Sequence, residues 1–478
     1  MIVWPGFLSV ILLINIIFTI IIIFIERRNV TSTWAWVLVL TFVPVLGFIL
    51  YLFFGRKLTK KNMFKIDKEH YNYLEKNIKK QQQLLEKRST EYPEFIQEYR
   101  ELIHMNLNHH SPLTLHNDIE IITDGRWKFE TLLSDIDQAK EHIHMLYYIV
   151  RNDTIGNELL VRLAKKARMG VEVRLLYDFL GSRNLPRKLL ADIRKAGGKV
   201  ASFSTSRYPI LNFEVNNRNH RKLVIIDRKI GYIGGFNVGN EYLGLNKSFG
   251  YWRDTHLKIV GEAVAHLEQR FLLDWRHATK AEISLDVTPK PLHQFGKMGI
   301  QIVSSGPDSD VEQIKLGYIK MILSAKKYIY IQTPYFIPDE SLLDALKIAA
   351  LSGVDIRIMI PNKPDHPFIY WATYSNVGEL LNIGAKVYIY ENGFMHAKTI
   401  VVDDKIASVG TANIDVRSFR LNFEVNAFLY HSDSLSRLRI IFEKDIIQST
   451  ELTLELYSQR SLYIRFKESI SRLLSPIL

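Results

Sequence analysis

The chain has 478 residues, 47% hydrophobic and 23% charged, enough for about two to three domains with buried cores. Its formal net charge of +12 suits an anionic partner, whether nucleic acid, anionic lipid or a phosphate ester, and does not choose among them. With no cysteine in the chain, disulfides, thiolate zinc sites and cysteine nucleophiles are excluded.

The first element is an apolar run, Phe7 to Ile25, interrupted mildly by Asn15 and Thr19. Roughly 20 apolar residues suffice to cross the hydrocarbon core as a helix. The turn Glu26-Arg27-Arg28-Asn29 leads to a second run, Trp34 to Phe54, with Trp34, Trp36 and Tyr51 near its ends and Pro44 and Gly47 inside it. A cleaved signal peptide fits poorly, because Met1 to Gly6 carries no positive charge and a second apolar run follows at once. The pattern predicts a two-span membrane hairpin over residues 1–57, placing the chain in the cell membrane as a multi-pass protein. Arg56, Lys57, Lys60 and Lys61 outweigh Arg27 and Arg28, so the catalytic part is expected on the cytoplasmic side. Residues 58–115 read as a basic polar linker, able to rest near anionic lipid.

The remainder reads as a duplication. Ile143–Val150 and Val171–Tyr177 have strand character, with a helix at Asn157–Arg168 between them. Gly197-Gly198-Lys199-Val200 opens a further strand. The same order recurs as Tyr328–Thr333, Ser341–Leu351, Val354–Ile360 and Gly384-Ala385-Lys386-Val387. Strands alternating with helices predict an α/β fold. It takes the form of two duplicated domains, 116–285 and 286–478, sharing one active-site cleft.

Each half then carries one motif. The first reads His220-Arg221-Lys222 with Asp227, followed by Gly234-Gly235-Phe236-Asn237. The second reads His396-Ala397-Lys398 with Asp403, followed by Gly410-Thr411-Ala412-Asn413. His and Lys two apart on a strand share a face. One copy thus offers an imidazole, an ammonium and, through Asn237 or Asn413, a neutral amide to bind a phosphate. Two facing copies put two imidazoles on opposite sides of one phosphorus, one to attack and one to protonate the leaving alcohol. The route calls for no cofactor and no metal, and no His-Glu-x-x-His run or carboxylate cluster would hold one.

The motif's aspartates, Asp227 and Asp403, count with its catalytic signature. Their odd parity relative to Lys222 and Lys398 turns them from the phosphate face, and they read as positioning residues at strand ends. Better candidates to orient the imidazoles are Asp254, in Tyr251-Trp252-Arg253-Asp254-Thr255-His256, and Glu424, in Asn422-Phe423-Glu424-Val425-Asn426. A carboxylate on one ring N–H fixes the tautomer and favours the cationic form. From the residues alone the acceptor is open: water would make a hydrolase, another alcohol a transferase, and a nuclease uses the same groups.

The paired motifs resemble the signature of the phospholipase D superfamily. Glu26–Trp36 (ERRNVTSTWAW), Leu46–Arg56 (LGFILYLFFGR), Tyr251–His256 (YWRDTH) and Ser418–Asn426 (SFRLNFEVN) are similar to segments of bacterial cardiolipin synthases. The resemblance covers nearly the whole chain, and Gly410-Thr411 departs from the usual Gly-Ser or Gly-Gly. It implies a phosphatidyl transfer from one phosphatidylglycerol to another, with glycerol released through a phosphatidyl-histidine. By analogy His220 is the nucleophile and His396 the acid and base. The partners implied are phosphatidylglycerol and anionic membrane lipid, with no nucleic acid.

At the C-terminus Leu462, Phe466, Ile470, Leu473 and Ile477 follow helical spacing among Arg460, Arg465, Lys467 and Arg472. This is either a packed terminal helix or one resting on anionic lipid.

Overall fold

The structure is a computed structural model that describes residues 3–24, 30–51, 63–64, 67–87, 92–203, 217–285, 296–430 and 433–473. The basic turn at Arg27–Arg28, the basic flank at Arg56, Lys57, Lys60 and Lys61, and Ile477 lie outside these residues. The chain divides into two compact units, Met1–Lys61 with Thr205–Arg218, and Asn62–Ser204 with Asn219–Leu478.

In the smaller unit the first apolar run is a helix, Val3–Phe24. The second run is broken into Val30–Phe42 and Pro44–Leu50, because Pro44 has no N–H to continue the ladder. Asn15, the polar exception in the first run, is buried and donates its amide to the Leu40 carbonyl at 3.0 Å. Ile22, Leu40 and Tyr51 bury together beside Phe18 and Trp36, while Leu13, Ile16, Phe24, Trp34, Phe42 and Leu46 face outward. The first helix is described with its side chains from Ser9 to Phe24, and no helix so described is long and apolar enough to cross a membrane.

The larger unit contains the duplication. A seven-stranded sheet runs in the order Asn117–Ile122, His256–Gly261, Ile230–Gly234, Leu223–Ile226, His142–Tyr147, Glu172–Asp178, Lys199–Phe203. The last three strands pair in parallel and the others antiparallel. The second sheet repeats this order as Gly299–Ser305, Glu424–Tyr430, Ile406–Gly410, Thr399–Val402, Tyr328–Gln332, Asp355–Pro361 and Lys386–Tyr390, with the same directions. Leu113–Thr114 and Ser449–Glu451 extend its two edges. The α/β reading holds. Helices Thr154–Arg168 and Glu340–Leu351 fall where the spacing places them. Both halves belong to the one larger unit, and a shared apolar cluster joins Leu223, Ile225 and Leu257 of the first to Val401, Val409 and Val425 of the second.

The segment read as a linker is more than that. Leu74, Ile78 and Leu85 of helix Lys68–Glu86 are buried, as are Leu102, Ile103 and Leu107 of helix Arg100–Leu107. All pack into the core of the second sheet. The Lys-, Gln- and Glu-rich sequence conceals this stripe because three leucine or isoleucine anchors over three turns are enough to seat a helix.

Candidate active site

His220 and Lys222 sit not on a strand but on the extended stretch that leads into Leu223–Ile226, and His396 and Lys398 likewise precede Thr399–Val402. Each stretch lies along a segment of the other half. Asn219 bridges in parallel to Phe423, and the His220 N–H donates to the Phe423 carbonyl at 3.0 Å. Phe394–Met395 pairs in parallel with Trp252–Arg253, and the His396 N–H donates to the Arg253 carbonyl at 2.7 Å. The residue after each acceptor is a carboxylate. Glu424 therefore meets His220, with Oε1 at 2.9 Å from Nδ1, and Asp254 meets His396, with Oδ2 at 2.6 Å from Nδ1. Both carboxylates are fully buried. The two orienting residues were legible, and their crossing between halves was not. A carboxylate at Nδ1 holds the proton there and leaves the Nε2 lone pair for chemistry.

The ammonium groups close the site. Lys222 donates to the His220 carbonyl at 2.6 Å and Lys398 to the His396 carbonyl at 2.5 Å. Burial pulls the Lys222 pKa down to about 7, with Glu424 and Asp254 opposing and Lys398 adding to the fall. Burial likewise brings Lys398 to about 8, against the pull of Asp254 and Glu424. Each lysine acts on the histidine of the other motif, so the four bases share one site. Burial, assisted by Lys398, lowers His396 to about 4 in spite of Asp254. Burial also lowers His220, against Glu424 and with Lys222 and Lys398 adding. Each carboxylate favours the cationic form of its histidine, as the sequence implies, but it does not act alone. Desolvation and the two nearby lysines outweigh the opposing pull of one carboxylate on each imidazole.

Asp227 and Asp403 do not join this cluster. Both have left-handed backbones, with φ of 53° and 54°, just past the far ends of their strands. The Asp227 carboxylate accepts from the backbone N–H groups of Lys140, Glu141 and His142 at 2.7–2.9 Å. Asp403 does the same for Lys326, Lys327 and Tyr328 at 2.7–2.9 Å. They cap the start of the neighbouring central strand, a positioning role at a strand end such as their parity implies.

Asn237 accepts from the Ile149 N–H at 3.1 Å and donates to the Tyr242 hydroxyl at 3.2 Å. Asn413 donates to Asp415 at 3.1 Å, and its Oδ1 is buried without a hydrogen bond. Each amide nitrogen has a second hydrogen beyond that bond. The Gly-Thr departure also has a physical account. A Cβ at Gly235 would stand 1.9 Å from Asp254 Oδ1, so that carboxylate needs glycine beside it. At the matching position Thr411 donates its hydroxyl to Glu424 Oε2 at 2.5 Å.

Four further residues were missed by sequence reasoning. Arg221, between the motif's His and Lys, donates to the Glu424 carbonyl at 3.1 Å, to Asp274 at 2.6 Å and to the Ser305 carbonyl at 3.3 Å. Arg253 contacts Asp445 through Nε at 2.9 Å and Nη2 at 2.8 Å. Each arginine thus fastens one half to the other directly beneath a histidine. Tyr148 packs on the His220 ring at 4.9 Å and Trp252 on the His396 ring at 5.0 Å. A motif arginine at odd parity was the available signal.

Duplicated α/β halves with two carboxylate-oriented histidines and two lysines at their junction define a phospholipase D-like phosphodiester transferase. The chain matches the family model described as cardiolipin synthase, PLD-like domain, at residues 132–275 and 318–446, and the phospholipase D-nuclease N-terminal model at residues 8–56. It is 56% identical over 467 residues to a cardiolipin synthase of Oceanobacillus iheyensis, covering 97% of each chain. It is 55% identical to the major cardiolipin synthase of Bacillus subtilis, covering 98% of each. A phosphatidylserine synthase of Haemophilus influenzae, 16% identical, shares the fold with a TM-score of 0.60 over 81% of this chain and 100% of that one. The chain belongs to the cardiolipin synthase family of phospholipase D-like proteins, and it is a phosphatidyltransferase.

Proposed function

We propose that the enzyme joins two phosphatidylglycerol molecules into cardiolipin and releases glycerol, with His220 as nucleophile. The observation that carries the transfer chemistry is the crossed pairing of His220 with Glu424 and of His396 with Asp254 around two lysines, and the choice of His220 as nucleophile rests on the family analogy. His220 Nε2 forms a bond to the phosphorus as the bond to the glycerol oxygen breaks. His396 gives that oxygen its proton. The anionic phosphodiester beside it offsets the two ammonium groups and raises its proton affinity for this step. Lys222, Lys398 and the remaining amide hydrogens of Asn237 and Asn413 hold the non-bridging oxygens. Neutral His396 then takes the proton of a second phosphatidylglycerol hydroxyl. That oxygen attacks the phosphatidyl-histidine, and His220 leaves unchanged. Incubation with phosphatidylglycerol vesicles and thin-layer chromatography should give cardiolipin and glycerol. Phosphatidic acid without cardiolipin would mean that water is the acceptor and would overturn the reading.

The lysines predict a pH dependence. A lysine binds an anion while charged, that is, below its pKa, so the cradle is intact below about 7 and lost above about 8. kcat/KM should therefore fall on the alkaline side of neutrality, through a rise in KM. Lys222→Arg, which stays charged, should move that limb to higher pH. A flat profile up to pH 10 would contradict a role for these lysines in binding phosphate.

Membrane placement is part of the proposal. The outward apolar side chains Leu13, Ile16, Phe24, Leu38, Phe42 and Leu46, with the Asn15 amide donated to the Leu40 carbonyl between helices, suit a two-span hairpin in lipid. The basic residues after it favour a cytoplasmic catalytic part. Helix Leu462–Leu473 is amphipathic in the reverse sense to a packed helix. Glu468 and Ser471 are buried on the side of helix Pro367–Leu381, while Leu462, Phe466 and Leu473 are 82, 62 and 76% exposed. Arg465 and Arg472 flank that outward stripe, which suits an anionic interface. Because the chain has no cysteine, Phe466→Cys gives a single labelling site. An environment-sensitive dye there should shift to the blue in phosphatidylglycerol vesicles and be quenched from the lipid phase. Quenching from water instead would exclude the interfacial placement.

A further inference from the structure

A second cluster of chemically capable side chains lies outside the catalytic site. His142 and His144, on the same face of strand His142–Tyr147, meet Glu268 of helix Ala263–Thr279. His144 Nδ1 is 2.7 Å from Glu268 Oε1, and His142 Nε2 is 3.5 Å from Glu268 Oε2. Glu268 is fully buried, and the His142 and His144 side chains are 10 and 4% exposed. His142 Nε2 and Glu268 Oε2 face each other only at this longer ion-pair distance, and neither has a hydrogen bond to another group. Leaving both such atoms unbonded in a core is costly, and a cation between them would satisfy each.

We propose that His142, His144 and Glu268 form a binding site for a zinc-class divalent cation. Two imidazoles and one carboxylate are a donor set suited to such an ion, and ligands about 2 Å from a tetrahedral centre lie about 3.3 Å apart. The contact at 3.5 Å already has that spacing, and the one at 2.7 Å opens by about 0.6 Å. The outer contacts suit the same role. His144 Nε2, the nitrogen turned from the cluster, is 3.2 Å from Glu172, and Glu172 is held by Arg174 at 2.7 Å. A carboxylate on the far nitrogen of a ligating histidine fixes its tautomer and strengthens it as a ligand. Phe271 stacks on the His144 ring at 4.8 Å and closes one side.

The duplication supplies an internal comparison. Asp227 caps His142 and Asp403 caps Tyr328, so Tyr328 and Tyr330 occupy the positions of His142 and His144. Phe442 stacks on Tyr330 as Phe271 stacks on His144, and Asp445 holds Arg253 as Asp274 holds Arg221. On that register Arg439 stands where Glu268 stands, and it pairs with Asp404 and Glu443. The fold thus accepts aromatic rings and an arginine here, and packing alone does not call for two histidines and a glutamate. The bound ion would be structural. It would tie the strand that abuts Asp227 to the helix that carries Asp274, the partner of Arg221, and the transfer chemistry at His220 and His396 would not run through it.

The test uses the full-length protein in detergent, stripped with a chelator and returned to Zn²⁺ alone. One tightly bound equivalent per chain and a rise in melting temperature are expected. His142→Gln and Glu268→Gln should lose both, while His110→Gln, at an exposed histidine, should keep them. Glu172→Gln should weaken binding about 10- to 100-fold. Co²⁺ added to the wild type should give the intense visible bands of a low-coordinate site, a readout independent of whether any variant folds. No bound equivalent, a featureless Co²⁺ spectrum, or zinc retained by both His142→Gln and Glu268→Gln would leave an ion-paired histidine cluster and overturn the proposal.

Discussion

His396→Ala should release one equivalent of nitrophenol per enzyme from a phosphatidyl-nitrophenol substrate and then stop, whereas His220→Ala should release none. Both variants should lose cardiolipin formation from phosphatidylglycerol. His396→Ala should fall by about 10²- to 10⁴-fold through loss of the proton carrier. His220→Ala should fall further, because no covalent intermediate can form. The activated leaving group separates the two roles, since it departs without a proton. The first half-reaction then needs His220 but not His396, and the second half-reaction stalls for want of a base. Mass spectrometry of trapped His396→Ala should place the phosphatidyl group on His220. The geometry makes the two histidines nearly equivalent, each with one buried carboxylate from the opposite half. They differ in that Glu424 also accepts from the Thr411 hydroxyl and Asp254 from the Thr255 backbone N–H. A burst from His220→Ala with an adduct on His396 would reverse the assignment.

The chemical groups of the site were readable because the motif occurs twice with one spacing, and chance does not readily repeat it. His220, Lys222, His396 and Lys398 come together as the pattern implied. Asp254 and Glu424 were reached by asking which carboxylates could orient an imidazole. Their exchange between halves was beyond reach, because it depends on Asn219 pairing with Phe423 and Phe394 with Trp252 across more than a hundred residues. The charge state was also beyond reach. A motif shows that a carboxylate is near, but the balance between that carboxylate, burial and two lysines is set by distances in three dimensions.

The order of strands and helices in both halves followed from periodicity and punctuating glycines. The helices at residues 68–86 and 100–107 did not, because their composition is polar and their few apolar anchors find a partner sheet far along the chain. The C-terminal helix shows the converse limit. Its apolar stripe was plain in the sequence, yet spacing cannot tell whether a stripe faces a core or faces outward, and here Leu462, Phe466 and Leu473 face outward.

Arg221→Ala should be the most destabilising single change near the site, by about 3 kcal/mol, at the lower end of what removing one partner of a buried ion pair costs. The arginine is 1% exposed and Asp274 fully buried, so truncation leaves a carboxylate with Arg270 at 3.1 Å as its remaining charged contact. It also removes the donors to the Glu424 and Ser305 carbonyls, both on the second half. Arg221→Lys should not rescue, because one ammonium cannot reach three acceptors laid out for a planar fork. Arg221→Met with Asp274→Leu should recover part of the stability, since no carboxylate is then buried without its main partner, while Arg270 gives up its contact with Asp274. That double variant should nevertheless stay slow in forming the phosphatidyl-histidine. The Glu424 backbone would lose its anchor, and with it His220 would lose its orientation. Melting temperature in detergent reads the first effect and the nitrophenol burst rate the second. If the double variant recovered stability and burst rate together, Arg221 would be a packing residue alone. If it recovered stability while the burst stayed slow, the guanidinium would be a positioning group for the nucleophile.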